Sequence, residues 1–358
     1  MVMEILVDQF KTAVTAAHAQ KTPLRIRGGG TKDFYGNALS VSLAVLDTRP
    51  YHGVVAYEPT ELVITARAGT PLAELQALLD QHGQMLAFEP PFFGEAATLG
   101  GCVAAGLSGP RRVTAGAVRD FVLGVRMLNG QGDDLRFGGQ VMKNVAGYDV
   151  SRLMVGALGT LGLLLEVSLK VLPKPPVERT VCLTIDEVAA IETVNRWAGK
   201  PLPVSATCFA DDMLTVRLSG AESAVNAARA KLGGEVLDDA EAFWQSIREH
   251  THDFFQSTKP LWRLAVKSTT AQLPLPGKQL IEWHGGLRWL ACDDLEAVEY
   301  IRKSAKAAGG HATLFRGNGL TASVFHPLDD GMMRIHSALK NQFDPAGIFN
   351  PGRLYSEF

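Results

Sequence analysis

The sequence predicts an α+β protein in two parts followed by a short tail. Three observations lead there. Strand-like, branched segments alternate with helical apolar stripes up to residue 172. The run Pro173-Lys174-Pro175-Pro176 then breaks the chain as a linker would. Beyond it, strands and helices alternate in a pattern resembling an antiparallel sheet with helices on one face. The expected division is therefore residues 1–172, a smaller part at 177–340, and a tail at 341–358.

Each element has a local reason. Ile5, Phe10, Val14 and Ala17 recur at near-helical spacing and predict an amphipathic helix over 4–20. Branched side chains predict strands at 23–27, at 40–43 with 44–46, at 54–57 and at 62–66. Thr70 is the expected cap of the next helix and Pro71 its first-turn residue. Its stripe is Leu72, Leu75, Leu78 and Leu79, and His82-Gly83 ends it. The alternation continues to a strand at 167–172. In the second part, strands are expected at 180–185, 214–218, 262–267, 280–284 and 287–291. Helices are expected at 187–197, 221–232 and 294–308, the last with Leu295, Val298 and Ile301 inward.

Composition excludes several classes. A hydrophobic content of 46% with 20% charged residues is that of a soluble globular chain. A net charge of −2 and the absence of basic runs leave no footprint for nucleic acid. The start, Met1-Val2-Met3-Glu4-Ile5-Leu6-Val7-Asp8, carries acids and does not read as a signal peptide. The longest strongly apolar stretch, 153–165, falls short of the roughly 20 residues that span a bilayer. Cys102, Cys182, Cys208 and Cys292 are far apart, without metal-ligand spacing, and read as buried thiols of a cytoplasmic protein. No metal site is expected, and an iron–sulfur cluster acting with this chain must sit on another polypeptide.

The most informative tract is Leu24-Arg25-Ile26-Arg27-Gly28-Gly29-Gly30-Thr31-Lys32, a short strand entering three glycines, a hydroxyl and a cation. Residues without Cβ let backbone N–H groups face an anion, and a pyrophosphate suits that arrangement. Arg27, Thr31 and Lys32 would be supplementary donors. The alternative is a glycine-rich turn that binds nothing. A second tract runs from Pro90 through Thr98-Leu99-Gly100-Gly101 to Gly109, Arg112, Thr114, Gly116 and Asp120, with many small side chains that admit a flat ring or a phosphate.

Together these tracts resemble the FAD-binding domain of the vanillyl-alcohol-oxidase and p-cresol-methylhydroxylase type. Arg27-Gly28-Gly29-Gly30-Thr31 looks like its pyrophosphate loop, and Pro90, Thr98 to Gly101 and 109–120 like its second cofactor-lining segment. Lys143-Asn144-Val145-Ala146-Gly147-Tyr148-Asp149 and Gly156-Ala157-Leu158-Gly159-Thr160-Leu161-Gly162 resemble its closing segment. The tail, Phe343-Asp344-Pro345 through Ile348-Phe349-Asn350-Pro351-Gly352-Arg353-Leu354, is similar to the ending of the branch that oxidises D-2-hydroxy acids. The resemblance implies a two-part FAD-binding domain and a smaller cap domain. It also implies a cofactor set drawn from Arg27 to Lys32, Pro90, Thr98 to Gly101, Gly109, Arg112, Thr114, Gly116, Asp120, Gly159 and Leu161.

Within that branch the whole chain resembles the FAD-binding subunits of complexes that oxidise glycolate, with D-lactate as a further substrate. That resemblance implies a larger catalytic flavoprotein and an iron–sulfur subunit as partners, with any membrane contact made through them. Thr31 stands where covalent members offer a histidine, and Cys102 reads as a buried spectator, so the FAD is expected to be noncovalent. Oxidation of a 2-hydroxy acid needs a base for the hydroxyl proton and cations for the carboxylate. Self-sufficient relatives carry a histidine-bearing Gly-Asp-Gly-Asn motif, a Glu-His pair and Gly-Ser-Glu-Gly. Here the comparable residues are Leu314-Phe315-Arg316-Gly317-Asn318-Gly319-Leu320 and Gly156-Ala157-Leu158-Gly159. His284 on the strand at 280–284 and Arg316 remain as catalytic candidates, with Arg288 and Lys267 as weaker cations. His250, His252, His326 and His336 read as packing or surface residues. The resemblance leaves three functions open: a subunit that relays electrons, a standalone 2-hydroxy-acid dehydrogenase, and an assembly scaffold with a vestigial flavin site.

Overall fold

The computed structural model describes residues 2–139, 149–294, 296–317 and 322–358. Of the residues expected in motifs and stripes, Lys143 to Tyr148, Leu295 and Asn318-Gly319-Leu320 lie outside the described residues.

Helix α1 (Val2–Gln20) buries Val7, Phe10, Val14 and Ala17, the stripe its spacing dictates. Strands β1 (Leu24–Arg27) and β2 (Ala44–Asp47) pair in parallel. Then come β3 (Val54–Glu58), β4 (Val63–Arg67), α2 (Leu72–Gln81), β5 (Gln84–Met85), α3 (Leu99–Ala105) and α4 (Arg112–Ala115). The first part closes with β6 (Val122–Leu128), β7 (Asp134–Gly138), α5 (Val150–Leu153), β8 (Leu163–Lys170) and β9 (Leu172–Pro173). Strands β3-β4-β8-β6-β7 form an antiparallel sheet of five. Its core gathers Leu72, Leu75 and Leu79 of α2 with Leu99, Cys102 and Val103 of α3.

The second part is β10 (Val177–Thr184), α6 (Glu187–Ala198), β11 (Val204–Ala210), β12 (Met213–Gly220), α7 (Glu222–Leu232) and β13 (Glu235–Val236). It continues with α8 (Ala240–Glu249), β14 (Leu261–Ala265), β15 (Lys278–Glu282), β16 (Leu287–Ala291), α9 (Ala297–Ala307), β17 (His311–Arg316) and α10 (Asp330–Phe343). The eight strands form one sheet, β13-β10-β12-β11-β15-β16-β14-β17, antiparallel at every pairing. Residues alternate across it. Phe209, Val216 and Ile281 pack against α6 and α7, and Trp262, Leu264 and Leu290 against α9. Ala206, Cys208, Leu280 and Trp289 face the other way, onto Trp244 and Ile247 of α8 and onto Tyr35, Ala105 and Leu107 of the first part.

Several local expectations are corrected. Residues 40–43 form a turn rather than a strand, because the Ser40 and Ser42 hydroxyls bond each other at 2.8 Å. Thr70 does not cap α2: its Oγ1 accepts the Gly53 N–H at 2.9 Å, and Pro71 takes the cap position. His284 is not on a strand. Chain 283–285 is a tight turn with His284 at φ 54°. Helices do not all share one face of the large sheet, since α8 covers the opposite one. Strand β11, helix α8 and helix α10 were not expected. β11 is buried on both faces and shows no alternation of polar and apolar residues. Cys182 is half-buried, with Sγ 3.7 Å from Thr215 Oγ1, rather than fully buried.

The tail lies against β1. Leu24 N–H donates to Ile348 C=O at 2.7 Å and Asn350 N–H to Leu24 C=O at 3.0 Å, which continues the β1–β2 pairing on its free edge. Lys340 and Asp344, both buried, form an ion pair at 2.7 Å. The other Lys340 Nζ donors reach Thr160 C=O at 2.8 Å and Phe349 C=O at 3.0 Å. Asp344 also accepts from Ile348 and Phe349 N–H. A buried charge is tolerated only when so fully paired. Asp344→Ala leaves the Lys340 ammonium buried without its counter-charge, so we expect a loss of about 3–5 kcal/mol in unfolding free energy, read from urea denaturation. An unchanged urea midpoint would show that the pair is not what holds the tail.

Candidate functional site

Backbone geometry makes the centre of the site. Strand β1 leads into 28–32, and the N–H groups of Gly28, Gly29, Gly30, Thr31 and Lys32 donate to no described residue. These residues line a cavity of about 590 Å³, part of it open to solvent. Five successive unpaired donors along a cavity wall form a place for an anion. Lys32, largely buried, adds a cation whose pKa burial lowers. Its Nζ donates to Phe92 C=O at 3.1 Å.

A second cavity of about 520 Å³ adjoins the first and shares Ile26, Gly28, Gly101, Ala104, Leu158 and Asn350 with it. Its remaining lining is mostly apolar or small, including Ala68, Met154, Ala157 and Leu164. Such walls suit a flat ring system beside the anion site.

The two glycine tracts touch directly. A Cβ on Gly28 would lie 2.4 Å from Thr98 Oγ1, and one on Gly29 would lie 1.5 Å from Ala96 C=O. Thr98 Oγ1 also caps α3 by accepting the Gly101 N–H at 3.3 Å. Gly101 is different, since its missing Cβ would meet only that hydroxyl. Gly28 and Gly29 thus let the tracts approach, while the loop N–H groups find no partner among the described residues.

The tail completes the wall. Asn350 Oδ1 accepts from Ile26 N–H at 2.9 Å while its Nδ2 donates to Leu158 C=O at 2.7 Å, joining β1 to the Gly156–Gly162 tract. The Arg353 guanidinium donates to Asn37, Asp33 and Tyr35 C=O groups just beyond the glycines.

Of the expected cofactor residues, Arg27 to Lys32, Thr98, Gly100, Gly101 and Gly159 line these two cavities. Arg27 is held by Asp33, with Nε 2.9 Å from the carboxylate. The others lie outside them. Leu99 and Leu161 belong to the apolar core. Thr114 Oγ1 donates to Ser205 C=O, Asp120 accepts the Ala117 N–H, and Gly116 packs on Asp120. Arg112 stacks on Trp283 at 4.3 Å. Pro90 lines a broad cleft between the two parts, and Gly109 a small cavity beyond α3. Cys102 is buried in the core and lines neither cavity, with burial pushing its thiol up to about 11.

The catalytic candidates are not brought together on either cavity. His284 is half-buried, its Nε2 unpartnered, its pKa lowered by burial. Arg316 packs over the rings of Phe34 and Phe93 at 5.1 and 5.7 Å. Arg288 is held by Gly285 and Thr270 C=O groups, a structural use. Sequence reasoning gave no functional weight to His250, which the fold buries at the end of α8 in the left-handed conformation, stacked 3.9 Å from Phe255. It also missed Glu282, buried and accepting the Trp289 Nε1–H at 2.8 Å. Burial drives its carboxyl up to about 7, against the Trp289 bond and Arg263, which lower it, while Glu89 adds to the rise. The charge of Glu282 and the helix-end position of His250 gave no such signal. Among the described residues no group of three metal-ligating side chains is present, and no helix is long and apolar enough to cross a membrane.

Comparison with known proteins places these features. Residues 7–138 match the family model of the FAD binding domain. The chain is 50% identical over 355 residues to glycolate oxidase subunit GlcE of Escherichia coli (strain K12), covering 99% of this chain and 97% of that one. It is 29% identical to glycolate oxidase subunit GlcD of Bacillus subtilis (strain 168), over 52% of this chain and 40% of the relative. It is 31% identical to a D-lactate dehydrogenase of Anaerostipes hadrus, over 48% of this chain and 37% of the relative. Its fold is similar to that of p-cresol methylhydroxylase, with a TM-score of 0.68 at 15% identity, covering 98% of this chain and 88% of that one. Alkyldihydroxyacetonephosphate synthase shares the fold at a TM-score of 0.64 and 16% identity, covering 95% and 73%.

Two outcomes test the geometry. Gly29→Ala forces the loop away from Ala96, so the variant should lose bound flavin absorbance while Gly199→Ala, whose Cβ would meet only Arg196 C=O at 4.0 Å, should keep it. Glu282 holds its proton in the fold across pH 4.5 to 7, where the unfolded chain has lost it. Its stabilising contribution is therefore present below about 4.5 and lost as pH rises through about 7. Glu282→Gln should abolish that fall and exceed the parent at pH 8 by roughly 1–3 kcal/mol in urea unfolding.

Proposed function

The chain belongs to the family of glycolate oxidase subunit GlcE, and from that premise we propose that it is the FAD-holding subunit of a complex oxidising glycolate and D-lactate. It is an FAD-dependent oxidoreductase of the 2-hydroxy-acid class. The observation that carries the reading is the run of five N–H groups from Gly28 to Lys32 that have no partner among the described residues, in the wall of a cavity that continues between small and apolar residues. Those donors and Lys32 would take the pyrophosphate, and the walls at Gly101, Ala104, Leu158 and Gly159 the flatter parts. The residues present fit FAD. When bound, FAD supplies a hydride acceptor for a CH–OH carbon.

The flavin is held without a covalent bond in this reading: Thr31 succeeds the glycines, and Cys102 faces the core. The chain's own residues bind and orient. Asn350 and Arg353 fix the loop from the tail, and Glu249 fixes the 90–94 segment by accepting Phe92 and Phe93 N–H at 3.0 and 2.8 Å. The FAD-binding part takes 1–172 and the cap 177–340, with the tail returning to the first. A larger flavoprotein and an iron–sulfur protein complete the complex, because this chain's four cysteines are too dispersed for a cluster. Membrane contact is made through those partners, and the chain itself is cytoplasmic.

The purified chain should show flavin absorbance, and acid precipitation should release all of it, in Cys102→Ser as in the parent. Under anaerobic conditions glycolate should leave the flavin of the isolated chain oxidised and bleach it once the partner subunits are added. Bleaching by glycolate alone would replace the dependent subunit with a self-sufficient dehydrogenase. A colourless preparation that also fails to take up added FAD would overturn the cofactor assignment.

A further inference from the structure

The wall of the glycine-lined cavity contains an acid. Among the described residues that line it, Arg25, Arg27, Lys32 and Arg353 are cations and Asp33 is the one carboxylate. A negative charge beside N–H groups suited to phosphate works against the binding of phosphate. The contacts of Asp33 supply a compensating use. Its Oδ2 accepts from Arg25 Nη2 at 2.8 Å and from Arg27 Nε at 2.9 Å. Those two arginines alternate with Leu24 and Ile26 along β1, which turn to the apolar core, so both guanidinium groups leave the strand on its other face. The chain turns back after the glycines and brings one carboxylate oxygen to both.

The Arg27–Asp33 pair spans the neck of the loop. Arg27 precedes Gly28 and Asp33 follows Lys32, so the pair joins the two ends of the segment whose N–H groups have no partner among the described residues. Each end is also anchored from behind. Thr48 N–H donates to Arg27 C=O at 2.9 Å, and Arg353 Nη2 donates to Asp33 C=O at 2.9 Å. Within the loop, Asp33 N–H donates to Gly30 C=O at 3.1 Å. Gly30 shows how closely the arginine is seated. It has φ 73°, and a Cβ there would lie 2.3 Å from Arg27 Nη2 and 2.8 Å from its Cζ. The guanidinium therefore rests against the Gly30 backbone. Gly28 and Gly29 admit Thr98 and Ala96, and the third glycine admits the Arg27 side chain.

We propose that Asp33 is a positioning residue of the glycine loop: its carboxylate clasps Arg25 and Arg27 across the neck and holds the N–H groups of 28–32 in the shape that a diphosphate takes up. Arg27 then serves the form of the loop rather than acting as a phosphate donor. A loop ordered in advance avoids the conformational cost it would otherwise meet when the ligand arrives. Charge-assisted hydrogen bonds on one oxygen make the clasp stronger than a neutral pair. Side-chain exposures of 21% for Arg25, 43% for Arg27 and 37% for Asp33 leave it partly in water, so its effect is moderate and screened by salt. The proposal rests on the reading that this loop takes the pyrophosphate of FAD, and it names the side chain that shapes the loop for it.

The test strips flavin from the full-length chain and titrates FAD back at low salt, with flavin fluorescence as the readout and melting temperature as the check on folding. Asp33→Asn should weaken FAD binding about three- to tenfold. Charge alone predicts the opposite sign, because the substitution removes a negative group from an anion site. In an Arg25→Met/Arg27→Met background, where no clasp can form, Asp33→Asn should no longer weaken binding. The difference between parent and Asp33→Asn should close near 1 M salt, where the screening length is about 3 Å. Affinity equal to or tighter than the parent's in folded Asp33→Asn overturns the clasp. So does an equal loss in the Arg25→Met/Arg27→Met background, or a difference that salt leaves untouched. A parent chain that takes up no FAD would instead count against the cofactor reading on which the clasp rests.

Discussion

The buried Lys340–Asp344 pair is the constraint on which the rest of the cofactor wall depends. Lys340 has three protons and the fold supplies three acceptors: Asp344, Thr160 C=O and Phe349 C=O. Asp344 in turn accepts from two tail N–H groups. Because nothing is left unpaired, the end of α10, the Gly156–Gly162 tract and the tail hold one arrangement. That arrangement sets Asn350 between β1 and Leu158, and so fixes the strand that delivers the glycine loop. A loop whose N–H groups are unpaired needs such outside support, since it has no internal ladder of its own.

The two parts of the chain meet through a second polar knot. Glu89, in a left-handed conformation at φ 48°, lies between Arg217 of the large sheet at 2.8 Å and Arg111 at 3.4 Å. Burial would raise its pKa, but Arg217 and Arg111 together hold it below the usual carboxylate range. Arg111 reaches on to Glu178 on β10. Around this knot the aromatic side chains Tyr35, Phe93, Trp289 and Phe315 close a shared apolar core. The small cavity with Arg263 and His250 is therefore made by the meeting of two parts.

Function divides in the same way. Residues close in sequence, 28–32, line the glycine cavity, and residues from α8, β14, β15, β16, β17 and two loops line the small one. The first is suited to the phosphates of a cofactor.

Sequence alone determined the glycine loop, the second tract, the tail and most of the elements, because each is written in neighbouring residues. Three glycines after a strand, Thr98 before Gly100-Gly101, and Asn350-Pro351-Gly352 carry their geometry locally. It failed where meaning depended on distant partners. Thr70 read as a cap until Gly53 claimed its hydroxyl. Leu99 and Leu161 read as lining until the core took them. His284 read as a strand residue, whereas the chain turns there. His250 read as a packing or surface residue, and the packing of α8 beneath the large sheet buries it. Local chemistry is legible because the backbone responds to adjacent residues. Burial, unpaired nitrogens and the environment of Glu282 exist only once segments hundreds of residues apart are in contact.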